Sequence, residues 1–191
     1  MTIPTQRDAK ETLEYIRQTM ESASTFTAVS GWGLVIVGAL GLVAASLAWA
    51  GGTPADLRVW IPAAIVSVGV ATGANVLKAR RMHLPIWSGV MQKIAWVMAP
   101  TLLAGAMLTF SLAADGGAQQ LLPGMWLALY GAGVTAGGTF SVRAIRWMGM
   151  AFLVLGGTAL ARPDLGLLML VAGFGGLHVA VGLDVVWRHG G

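Results

Sequence analysis

Two ionisable side chains lie inside the last long apolar stretch, Leu165 to Trp187: His178 and Asp184. Roughly 20 apolar residues, rising about 1.5 Å each, cross the hydrocarbon of a bilayer, so His178 falls near mid-membrane. A deep imidazole can relay a proton, bind a ligand or hydrogen-bond a neighbouring helix, because stranding a polar group in hydrocarbon costs free energy. The plainest expectation is a neutral ring bonded to a Ser, a Thr or a backbone carbonyl of the bundle, as polar contacts between membrane helices are common. Asp184 precedes Arg188 by four residues, the order that suits a helical ion pair, so a structural pair at the interface is expected ahead of a proton carrier. His178 and Asp184 are separated by about 240° around one helix. A relay between them would need a second helix, and Asn75 and Thr139 are the polar residues that could line such a path.

Other chemistry has little to work with. No nucleophile stands near a recognisable base, and the glycine runs lie inside apolar segments without the lysine of a phosphate-binding loop. There is no paired His and acid spacing for a metal, the cysteine count is zero, and the ten methionines are dispersed. Haem is the runner-up cofactor, since membrane cytochromes use imidazole ligands. Of His83, His178 and His189 only His178 is deep, so haem ligation would require a dimer or a Met partner. The expectation is no enzyme activity, no metal and no cofactor.

The elements that must position these residues follow from composition. Of 191 residues 56% are hydrophobic and only 10% charged, far from the near-quarter charged share of soluble domains. The net charge of +4 comes from basic residues placed between apolar runs, which sets topology and gives no reason to expect a nucleic-acid partner. Six apolar segments are expected, at 26–50, 60–77, 94–113, 121–141, 145–161 and 165–187. The fifth is short and glycine-rich, and is the expected weak point of the count. Residues 1–25 are polar, with Thr5 and Asp8 in capping-box form and an apolar stripe at Ala9, Leu13, Ile16, Met20 and Ala23. That reads as a short cytoplasmic amphipathic helix, packed on its own bundle or, as the second reading, on a partner or another copy. The fold class is therefore all-α, a polytopic membrane bundle of six transmembrane helices in three hairpins (26–191) preceded by that helix (1–25).

Basic residues fix an orientation. Ten of them, in the N-terminal region, in the loops around 78–93 and 143–146 and in the tail, fall on one side, against Arg58 and Arg162 on the other. The positive-inside rule then puts both termini in the cytoplasm. Asp56, Asp115 and Asp164 fall in the opposite loops. Trp32, Trp87, Trp147 and Trp187 near one set of ends, with Trp49, Trp60 and Trp126 near the other, give the same layout.

Three glycine-bearing stretches line up: Gly69 to Asn75, Gly133 to Thr139 and Ala172 to His178. Each has small residues four apart, Gly69 and Gly73, Gly133 and Gly137, Ala172 and Gly176, followed by a polar residue. Such faces allow close helix approach, so the second, fourth and sixth helices are expected to meet along them. The loop LKARRMHLPIW groups Lys78, Arg80 and Arg81 with His83 and Trp87. It is expected to anchor topology, with lipid head-group binding as its special role.

The segment from Met148 to Gly182 resembles the helix-Pro-helix repeat of the HdeD acid-resistance family of small bacterial inner-membrane proteins, which carry three hairpins. A closer likeness, covering most of the chain, is to uncharacterised bacterial six-helix inner-membrane proteins. These begin with a short charged helix running into a Ser-Gly start, here ESASTFTAVSGWG, and end in a GFGGLH-like segment. The likeness implies the fold and brings no activity with it. The function expected is a non-catalytic inner-membrane component acting in assembly, stress response or regulation, in contact with lipids and with a homo-oligomer or membrane-protein partner. The alternative is a small transporter or proton-coupled channel using His178.

Overall fold

The computed structural model describes residues 12–16, 29–53, 55–114 and 118–189, excluding the side chain at 189. The first long helix starts where its donors are satisfied. Ser30 is extended (φ −79, ψ 114) and its hydroxyl accepts from the Gly33 N–H at 3.1 Å, occupying one of the orphan donors of α1 (Gly31–Ala50). Asp56 caps α2 (Leu57–Arg81) through the Arg58 N–H at 2.9 Å, and Lys78, Arg80 and Arg81 in the last turn complement its dipole. There follow α3 (Gly89–Ala114), α4 (Leu122–Gly137) and α5 (Arg143–Ala161). The last helix, α6, spans 166–189: α-helical Gly166–Leu170, π-helical Val171–Leu177, then α-helical His178–His189. No strand occurs among the described residues, and the architecture is all-helical.

Five of these helices, α1, α2, α3, α5 and α6, are long and apolar enough to cross a membrane. The expected weak point is displaced. The fifth apolar segment forms a regular 19-residue helix, while the fourth supplies only 16 residues of α-helix, flanked by 3-10 turns at Gln119–Leu121 and Gly138–Phe140. Glycine is a poor helix former, and the Gly137-Gly138 pair lets the chain tighten and turn into α5. Of the expected N-terminal helix, residues 12–16 are helical and exposed. The remainder of that stretch, including Thr5, Asp8, Met20 and Ala23, and the loop residue Asp115 lie outside the described residues.

The central pair is α4 against α5; α4 also holds α3 and the first part of α6, and α1 runs along α6 and holds α2. Consecutive in the chain, α2 and α3 make no extensive contact with each other. The core gathers Leu127, Val134, Met148, Phe152, Ala159 and Leu170, with a smaller cluster of Ala45, Ala48 and Leu167.

Glycines seven apart, not four apart, make the close seams. A Cβ on Gly31 would lie 2.7 Å from the Gly182 carbonyl oxygen, and one on Gly38 2.9 Å from that of Gly175, so α1 and α6 touch backbone to backbone in antiparallel order. Gly124 and Gly131 on α4, and Gly138 in the turn that follows it, do the same against α5, at 2.7 Å from Leu160 N, 2.8 Å from Leu153 N and 2.8 Å from Arg146 Cα. Seven residues are close to two helical turns, which keeps each series on one side.

The faces expected from four-residue spacing do not converge. Gly69 and Gly73 have nothing within 4 Å, Gly133 and Gly137 meet Met98 of α3, and Gly176 is exposed with only its own helix at 3.8 Å. Ala172 is half-buried. Where α4 does touch α6, other residues do it: Leu127 reaches the Gly173 position and Pro123 that of Gly166.

Candidate functional site

His178 opens the final α-helical part of α6, directly after the π-helical turn, and is 1% exposed. Its Nε2 lies 2.9 Å from the Oη of Tyr130 on α4, and its Nδ1 lies 3.4 Å from the Gly173 carbonyl, five residues back in the wide turn. One neutral tautomer satisfies the set: Nδ1–H donates to Gly173 and Nε2 accepts the Tyr130 hydroxyl proton. At 2.9 Å the Tyr130 bond is the strong member, and the 3.4 Å contact is near the limit of a bond.

The pair is enclosed by rings. Phe152 of α5 meets Tyr130 edge-on at 4.9 Å and His178 at 5.5 Å, while Phe174, one turn before His178, stacks on the imidazole at 5.9 Å and 16°. Phe152 and Phe174 close the ring set at 5.2 Å. Such pairs add about 0.5–1.5 kcal/mol beyond simple burial. Gly173 has no room for a side chain: a Cβ there would sit 2.7 Å from Leu127 and 2.9 Å from Phe152. Three helices thus lock around one imidazole. The donor set does not fit a haem, because Nε2 faces a hydroxyl and the ring is packed among aromatic side chains.

The other expected site residues lie elsewhere, each with local partners. Asn75 Oδ1 accepts from the Ser30 N–H at 2.8 Å, and Lys78 Nζ donates to the Val29 carbonyl at 3.1 Å. These two residues of α2, three apart and so on one face, clamp the start of α1. Lys78 is therefore only 7% exposed and does not belong to the exposed basic patch, which keeps Arg80 and Arg81. Its long stem follows the apolar surface and its ammonium finds a carbonyl. Thr139 is exposed and its hydroxyl donates to the Ala136 carbonyl of its own turn at 2.6 Å. Asp184 accepts from Arg188 Nε at 2.6 Å, the ion pair expected from their spacing. At the opposite turn Arg162 grips Asp164 at 3.0 and 2.8 Å, and that hydrogen-bonded carboxylate holds the guanidinium above its ordinary range. No hydrogen bond among the described residues joins Asn75, Thr139 and His178 into a path.

Tyr130, Phe152 and Phe174 are the residues that spacing arguments passed over. A signal for one of them exists: the chain has two tyrosines, and Tyr130 alone lies within an apolar segment, where a buried phenol needs a partner. No family model, no curated protein and no solved structure matches the chain.

Proposed function

We propose that this chain is a non-catalytic, multi-pass protein of a bacterial inner membrane, crossing six times with both termini in the cytoplasm and acting through helix contacts with a partner or a second copy. The observation that carries the reading is the sealed state of its deepest polar group. His178 is paired to Tyr130, walled by Phe152 and Phe174, and linked to no other polar side chain among the described residues. A permeation path needs polar groups connected across the bilayer. The sixth crossing uses α4 together with its two 3-10 turns, 22 residues from 119 to 140. The resemblance of 148–182 to acid-resistance hairpin proteins adds an expectation of a stress-related role.

A second reading, a proton-coupled channel or small transporter, draws on one feature: the π-helical turn beside His178, since such turns often mark functional positions. Reconstitution in proteoliposomes separates the two. The proposal expects no proton flux above that of empty vesicles, for wild type and for His178→Ala alike; flux lost in His178→Ala establishes the second reading.

A further inference from the structure

We propose that the groove between the start of α5 and the end of α6 binds one zwitterionic phospholipid whose ammonium head retains its N–H donors, the phosphatidylethanolamine class. The proposal rests on the multi-pass reading above, because the groove must open to lipid.

The groove has a volume of about 330 Å³. Small side chains at Ala144 and Ala151 of α5 and Ala180 of α6 leave it wide, and Leu177 contributes to its apolar wall. That apolar stretch of the lining suits an acyl chain. Its polar features lie toward the chain ends of the two helices. Trp147 stands 61% exposed on the α5 side, as an interfacial indole should. Asp184 lines the α6 side, with Arg188 folded back onto it.

The charge pair is what selects the head group. Asp184 Oδ1 takes the Arg188 Nε–H at 2.6 Å, and among the described residues neither the second carboxylate oxygen nor the terminal guanidinium nitrogens make a further bond. A free carboxylate oxygen thus sits beside free guanidinium donors. An ammonium carrying N–H groups can donate to the first while the phosphate, two carbons away in the same head group, accepts from the second. A choline head has no N–H to donate, and an anionic head without an amine sets its phosphate against the carboxylate. The match is zwitterion to zwitterion above an apolar slot.

Native mass spectrometry of the full chain in mild detergent tests this. It is titrated with phosphatidylethanolamine, phosphatidylcholine and phosphatidylglycerol of identical acyl chains. The expected result is a single phosphatidylethanolamine adduct about fivefold more abundant than either competitor, a difference of roughly 1 kcal/mol. That preference should fall to the phosphatidylcholine level in Asp184→Asn, which removes the anionic acceptor, and in Ala180→Phe, which fills the slot. Equal adducts for the three head groups in wild type overturn the proposal without any variant having to fold. So does a preference that survives both substitutions in monodisperse protein. Partition of the wild-type chain into the aqueous phase on detergent phase separation, a separate outcome, overturns the membrane reading itself.

Discussion

Tyr130 and His178, forty-eight residues apart in sequence, meet at 2.9 Å through Oη and Nε2 at the junction of α4, α5 and α6. This bond ties the central α4–α5 pair to the helix that carries α1, alongside the apolar contacts of Leu127 and Pro123 with that helix.

Tyr130→Phe keeps the ring and removes the hydroxyl, leaving the buried Nε2 without its partner. Polar contacts between membrane helices average about 0.6 and reach about 1.7 kcal/mol, whereas an orphaned buried acceptor costs about 1–3 kcal/mol. The enclosure by Phe152 and Phe174 favours the upper part of the first range, and a loss of about 1–2 kcal/mol is expected in equilibrium unfolding from mixed micelles. His178→Phe combined with Tyr130→Phe should cost less than the two single changes together. Strict additivity would show that the bond carries no coupling.

Glycine substitutions discriminate the two spacings. Leu at Gly131 or Gly38 meets backbone atoms of the neighbouring helix at under 3 Å, and is expected to abolish folded protein or lower the melting temperature sharply. Leu at Gly73, which faces open space, should change stability by no more than about 0.5 kcal/mol. Expression level and thermal unfolding of the three variants decide the matter.

The clamp at the start of α1 predicts a local effect. Asn75→Ala frees the Ser30 N–H and should cost about 1 kcal/mol, with faster amide exchange confined to the first turn of α1. Lys78→Met keeps the apolar stem and loses the bond to Val29, so the same amides should respond. Uniform exchange along α1 in either variant would disconnect these residues from the cap.

Arg162 and Asp164 form a well-aligned but exposed pair, and exposed ion pairs contribute little. Asp164→Asn is expected to leave the melting temperature unchanged, and raising salt should have no effect on the wild type beyond that on the variant.

Much of the helical layout was legible in composition and periodicity, because hydrophobic runs and punctuating basic residues are properties of single segments. The Asp184–Arg188 pair was legible for the same reason: a four-residue offset on one helix fixes the neighbours. What lay beyond reach concerned pairs of helices. His178 called for a partner, but nothing local chooses Tyr130 over a Ser or Thr of another segment. Gly69 and Gly73 matched a known packing pattern and face open space, while the seven-residue series through Gly124, Gly131 and Gly138 went unread for want of a known mate. Lys78 looked like one more cytoplasmic cation, and only the placement of Val29 beside it shows that its charge is turned inward.

The wide turn at Val171–Leu177 has one further consequence. Each residue of a regular helix advances about 100°, so a stretch wound on a different period puts the halves of α6 out of phase. Along its length α6 turns one side to α1, through Leu167, Gly175, Val179 and Gly182, and another to α4 and α5, through Gly166, Leu170, Gly173 and His178. A single rod thereby serves two sets of neighbours on two different bearings, and deleting one residue from the turn should rotate the half beyond it by about 100° out of register with both.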